Sequence, residues 1–171
     1  MDKAFLDIIE ANKKEYERLM QDDNYTEVRF NPKNGALSAI HKDHSFDPTI
    51  GKFKIPRGDY ERISLDVLYD YGNSIILESE KKGYEVKTPD GLLNGMLFDI
   101  KGIEGSSRRA IKDAISKASG QGATIAVLYF HDKSIYNIDI VKNGYVKYLI
   151  NSQSKRVQTV YCITGKYVYK M

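Results

Sequence analysis

Ile125-Ala126-Val127-Leu128-Tyr129-Phe130, opened by Thr124, is an unbroken apolar run of strand length. A strand sends successive side chains to opposite faces, so a run with no polar position has to be covered on both. The preceding segment offers one cover. It opens on Ser106-Ser107 and carries Ala110, Ile111, Ala114, Ile115 and Ala118 at helical spacing as far as Ser119, a narrow stripe of small residues that lets a helix lie close to a sheet. At 171 residues, 42% hydrophobic and 29% charged, the chain is one domain's worth and can bury a real core. The expected fold is α/β, a mixed central sheet with helices on both faces.

The rest of the chain divides by periodicity. Residues 2–20 set Phe5, Leu6, Ile8, Ile9, Tyr16, Leu19 and Met20 among charges, as an amphipathic helix does. Glu27-Val28-Arg29-Phe30 alternates, Asn34-Gly35 signals a turn and residues 36–40 can pair back, which predicts a hairpin. Residues 41–58 shift to His, Asp, Lys, Pro and Gly, the composition of a long surface loop and the best internal boundary. It separates an N-terminal helix, hairpin and loop (1–56) from an α/β domain (57–171). Residues 59–71 predict a second helix with Ile63, Val67 and Tyr71 on one side, broadened by Leu65 and Leu68 and ended by Gly72. A short buried strand at 74–78 and a charged connection at 80–88 follow. Beyond Phe130, residues 135–141, 145–150, 157–163 and 167–169, separated by Asn143-Gly144, 151–155 and Thr164-Gly165, predict a C-terminal meander of short strands.

Cys162 is the single cysteine, which excludes an intramolecular disulfide and a cysteine metal cluster and fits a reducing cytosol. No apolar run reaches membrane-span length and no signal-peptide pattern opens the chain, so a soluble cytoplasmic protein is expected. The net charge of +3 is unevenly spread: residues 133–171 hold seven Lys or Arg against one acid, and seven of the thirteen tyrosines lie from Tyr129 onward. A basic, aromatic segment suits a polyanion whose bases can stack, with Lys147, Lys155 and Arg156 as candidate contacts. Tyrosines of high strand propensity alternating with solvated lysines give the same composition.

Chemistry concentrates in Thr88-Pro89-Asp90-Gly91-Leu92-Leu93-Asn94-Gly95-Met96-Leu97-Phe98-Asp99-Ile100-Lys101. On a strand, Asp99 and Lys101 leave one face while Phe98 and Ile100 leave the other. The Asn94-Gly95 turn folds residues 91–93 back against 96–101 and carries Asp90 towards Asp99. Two carboxylates are what Mg²⁺ takes alongside water, and a nearby amine completes the set that metal-assisted phosphodiester hydrolysis needs. Asp99 and Lys101 taken alone also fit a surface ion pair on an edge strand.

These residues resemble the PD-(D/E)xK, restriction-endonuclease-like nuclease superfamily. Within it the chain is similar to the C-terminal nuclease domain of contact-dependent growth-inhibition toxins and to domains fused to phage head morphogenesis proteins. The resemblance runs from Tyr60-Glu61 through Gly72-Asn73-Ser74-Ile75-Ile76-Leu77, Pro89-Asp90 and Phe98-Asp99-Ile100-Lys101 to the helix at 106–119, Gln121 and the strand from Thr124. It implies a bacterial or phage-derived endonuclease using Mg²⁺ or Mn²⁺, with Asp90, Asp99 and Glu61 as metal ligands and Lys101 at the attacking water. It further implies tRNA or DNA as substrate, and a cognate immunity protein or a phage head component as partner. Glu78 and Glu80 compete with Glu61 for the first acidic position. Gln121 either meets the scissile phosphate or caps its helix, and Arg108, Arg109 and Lys112 either hold a phosphate backbone or form a solvated helix face. The nine-residue spacing of the two acidic elements and an Asp at the second position depart from the commoner pattern. The alternative function is a catalytically inactive nucleic-acid-binding or interaction module on the same fold. A metal-free site on His41 and His44, with Asp43 and Asp47 beside them, is a third reading, and His131 and Cys162 are expected to be structural strand residues.

Overall fold

The computed structural model describes residues 2–80, 88–153 and 155–171. The chain forms α1 (Lys3–Met20), β1 (Tyr25–Phe30), β2 (Leu37–His41), α2 (Gly58–Asp70), β3 (Ser74–Leu77), β4 (Gly91–Leu93), β5 (Met96–Ile103), α3 (Arg108–Gly120), β6 (Ile125–Phe130), α4 (Ile138–Asn151), β7 (Thr159–Thr164) and β8 (Tyr167–Lys170). All eight strands join one mixed sheet in sequence order. Pairs β2–β3, β5–β6 and β6–β7 are parallel and the others antiparallel. Each parallel pair is joined through a helix, α2, α3 and α4 in turn, because a parallel connection must return along the whole strand. The sheet therefore runs through the expected boundary near residue 56, and most of the charged connection expected at 80–88 lies outside the described residues.

Register assigns the faces. Leu77, Phe98, Ile125 and Tyr161 point to the side of α2, where Tyr60, Leu65, Val67 and Leu68 complete a core. Ala126, Leu128, Phe130, Val160 and Cys162 point to the other side and pack against α3 and α4. Leu37, Ala39 and Ile76 meet Leu19 of α1 there too. Every residue of β6 is buried, as its unbroken apolar run requires. Ser107 caps α3 by accepting the Ala110 N–H, and Ile111, Ala114, Ile115 and Ala118 are its buried stripe.

Three expectations need correction. The meander after Phe130 is half helix: residues 138–151 form α4, while the strands expected at 157–163 and 167–169 are β7 and β8. The buried face of α2 runs through Tyr60, Ser64, Val67 and Leu68, leaving Ile63 and Tyr71 exposed. The segment 41–58 is more than a surface loop, since Phe46, Phe53 and Ile55 pack on the α2-side core and His44 is buried. Cys162 is a buried residue of β7, but His131 lies just past β6, exposed and stacked on Phe53.

Candidate active site

The length mismatch between β4 and β5 creates the site. Asn94 and Gly95, both at positive φ (50° and 82°), make the tight turn that pairs Leu93 with Met96. β4 stops pairing at Gly91 opposite Phe98, whereas β5 continues to Ile103. Beyond Phe98, β5 thus lacks a strand on its β4 side, and its amides there need another acceptor. Asp90 supplies it: its backbone N–H donates to the Phe98 carbonyl, and its carboxylate Oδ2 accepts the Ile100 N–H at 2.6 Å.

Asp99 and Lys101 pair with Ala126 and Leu128 of β6 and so share the α3 face of the sheet, as alternation requires. Lys101 Nζ lies 2.6 Å from Asp99 Oδ2 in an ion pair. Asp90 and Asp99 are only 7% and 3% exposed, and the Asp99 charge acts on the Asp90 carboxyl. Burial, the Asp99 charge and the Glu61 charge push Asp90 well above the usual carboxylate range, against the Ile100 N–H. Burial also raises Asp99, offset in part by the Lys101 ammonium. Two acids that cannot both ionise without cost describe a place where positive charge is favoured.

Glu61 approaches from α2 and contributes to the field at Asp90. Its Oε2 accepts from His44 Nε2 at 2.6 Å, and His44 Nδ1 donates to the Glu78 carbonyl at 2.7 Å. Burial lowers the His44 pKa, but the Glu61 hydrogen bond and charge, the Glu78 carbonyl and Glu80 more than reverse it, so the net direction is upward. The rivals for the first acidic position are placed differently. The Glu78 carboxylate accepts from the Tyr25 hydroxyl at 2.8 Å, and Glu80 Oε1 lies 3.8 Å from His44 Nδ1. His44, Glu61 and Glu80 bring ligand atoms within 4.8 Å of one another, yet His44 spends both nitrogens on Glu61 and a carbonyl, which leaves it no lone pair for an ion.

Asp90, Glu61 and Lys101 open into a cleft of about 560 Å³, whereas Asp99 and His44 lie behind its lining. Arg57, Glu61, Asp90, Lys101, Glu104 and Lys117 are among its lining. The 41–58 segment forms one wall: Lys52 reaches the Glu104 carbonyl through Nζ at 3.2 Å and the Glu104 carboxylate through its backbone N–H. Of the cations expected to hold phosphate, Arg109 pairs with Asp113 at 3.9 Å and is 85% exposed, while Lys112 pairs with Asp113 at 3.2 Å. The Arg108 carbonyl faces α4 at Gly144. Among the described residues none of these three lines the cleft, nor do Gln121, Lys147, Lys155 and Arg156. Gln121 caps α3 through its backbone N–H, and Arg156 donates to the Ser119 carbonyl at that helix's end. Arg57 and Lys117, which do line it, carried no motif. Only the spacing of Lys117 from Asp113 and Ala114 on one helix face could have singled it out.

A mixed α/β fold whose sheet parts beside a buried acid pair, with a lysine on the same face, defines an α/β protein with an enzyme-like acidic cleft. Residues 87–166, a little under half of the chain, match the family model of the contact-dependent growth inhibition CdiA C-terminal domain, so this segment is similar to that toxin domain. Domains of that family are typically nucleases or other toxic effectors and are neutralised by cognate immunity proteins. The match contains Asp90, Asp99, Lys101 and Gln121 and begins after Glu61. No curated protein and no solved structure matches the chain. Among the described residues no helix is long and apolar enough to cross a membrane.

Proposed function

We propose that the protein is a toxin-type endonuclease that hydrolyses phosphodiester bonds in nucleic acid, tRNA or DNA, with the help of Mg²⁺ or Mn²⁺. The observation that carries this reading is the buried Asp90–Asp99 pair with the Lys101 ammonium against Asp99, at a cleft that Asp90, Lys101 and Glu61 line. The donor types suit a hard divalent ion: carboxylate oxygens only, two of them buried, Asp90 raised in pKa by burial and by the Asp99 charge and Asp99 raised by burial. Asp90, Asp99 and Glu61 would hold it. When bound, such an ion would polarise a phosphoryl oxygen and acidify a water.

The residues themselves supply the remainder. Asp90 is immobilised by its bond to Ile100 N–H, so its second oxygen is held in a fixed direction. Lys101, whose Nζ lies 2.6 Å from Asp99 Oδ2, would place an ammonium where charge develops on the phosphoryl oxygens and would orient the attacking water. Arg57 and Lys117 flank the cleft and bind the backbone phosphates on either side. A metal-free histidine site is disfavoured by the complete burial of the His44 side chain and the engagement of both its nitrogens.

Purified protein incubated with plasmid DNA and with total RNA, each with Mg²⁺, Mn²⁺ or a chelator, tests the proposal. Cleavage that requires the ion and stops on chelation is expected. Salt-sensitive binding without cleavage under any metal would make the chain a nucleic-acid-binding module instead. Cleavage that survives chelation would move the chemistry away from these carboxylates.

A further inference from the structure

His44 sits in a loop-rich stretch of polar composition, yet its side chain is completely buried. Packing alone would be served by an apolar residue. The ring is instead fixed at both nitrogens: Nδ1 lies 2.7 Å from the Glu78 carbonyl, which can only accept, and Nε2 lies 2.6 Å from Glu61 Oε2. Phe46 meets the ring edge-on at 4.8 Å and is itself covered by the Arg62 guanidinium at 4.2 Å, so ring orientation is set on a third side. The anchor point, Glu78, is the residue that follows β3, and its own N–H donates to the Asp90 carbonyl. His44 thereby ties Glu61 on α2 to the backbone that also carries Asp90.

We propose that His44 is a positioning residue for metal binding: donating from Nε2 while moored at Nδ1, it holds the Glu61 carboxylate towards the Asp90–Asp99 pair before an ion arrives. This rests on the metal-dependent reading of the site. Glu61 has three rotatable side-chain bonds, and ordering them in advance removes an entropy cost from ion binding. Hydrogen-bond partners of metal ligands typically change metal affinity by about 10–100-fold when removed.

Calorimetric titration of Mn²⁺ into the wild type, His44→Gln, Glu61→Gln and the double variant tests this. His44→Gln should weaken Mn²⁺ binding by about 10-fold or more, with a smaller effect on kcat at saturating Mn²⁺. The double variant should bind no more weakly than Glu61→Gln alone, because His44 acts through Glu61. Wild-type affinity in His44→Gln, or additive losses in the double variant, would overturn the positioning role alone. A wild-type protein that binds no Mn²⁺ would overturn the metal-dependent reading and this one with it. Where folding of His44→Gln is in question, the wild type answers: in ¹⁵N-labelled protein, adding Mg²⁺ should shift the His44 Nε2–H resonance, and a resonance that stays still while Asp90 and Asp99 respond would overturn the role.

Discussion

Asp99→Asn removes a charge from a buried carboxyl pair while keeping the side chain's size, so cleavage should be lost without loss of the fold, read by plasmid and RNA digestion beside thermal melting. Lys101→Ala should leave Mn²⁺ binding largely intact and lower kcat by about 10²–10³-fold, because the role proposed for it lies with charge that develops during the reaction. Equal activity of both variants and wild type would remove these residues from the chemistry. Gly102 is a third residue whose identity is set by its surroundings. A Cβ there would lie 2.3 Å from the Tyr60 ring, which is itself stacked on Tyr129 at 5.0 Å and cannot simply withdraw. Gly102→Ala should therefore cost about 1–3 kcal/mol, measured by urea denaturation, and disturb the neighbouring Glu61. Asp90, Asp99 and Lys101 could be read from the chain because a turn signal and a period of two place them together. His44 could not, since its role depends on contacts to Glu61 and Glu78, 17 and 34 residues away.

Within elements, α4 shows how tertiary contact overrules local signals. Its Ile, Val and Tyr content favours strand and Asn143-Gly144 favours a turn, yet the segment is a helix whose Val141, Gly144 and Tyr148 face α3. Gly144 explains itself in the packed molecule: a Cβ would meet Ile111 at 2.6 Å and the Arg108 carbonyl at 2.9 Å, so only glycine lets the two helices approach this closely. Gly144→Ala should thus destabilise the protein despite alanine's better helix propensity, and a higher melting temperature would refute the close-packing account. The cations divide by element too. Arg57, ahead of α2, and Lys117 on α3 line the cleft, whereas Lys147 lies on α4 outside it. Replacing Arg57 and Lys117 with Ala should flatten the salt dependence of nucleic-acid binding by about one unit of slope per lost phosphate contact. Replacing Lys147, Lys155 and Arg156 together should change the slope less. The reverse ranking would place the substrate on the basic C-terminal surface that charge asymmetry alone suggested.

At the scale of the molecule, the buried acid pair costs the protein stability. Asp90 and Asp99 titrate above 3.8, the ordinary aspartate value, so the folded state holds protons that the unfolded chain has released. Stability should fall as pH rises from just above 3.8 through their raised values. His44 adds in the same direction over a later window, its contribution being complete below 6.5 and lost as pH rises through its raised value. Melting temperature should accordingly decline from mildly acidic towards alkaline pH, and Mn²⁺ should raise it more at neutral than at acidic pH. A flat profile would mean that the carboxyl pair is better hydrated than its burial implies. The amino-acid sequence by itself determined the α/β class, the hairpin that carries Asp90 to Asp99, the helix α3 and the buried strand β6, because each follows from the spacing of near neighbours. Only the tertiary structure decided that residues 138–151 coil rather than extend, that the polar stretch 41–58 turns inward to build a wall, and that His44 and Glu61 meet. These outcomes depend on which faces remain to be covered once the sheet has formed and on which buried polar groups then need partners, and neither is encoded within any short window of the chain.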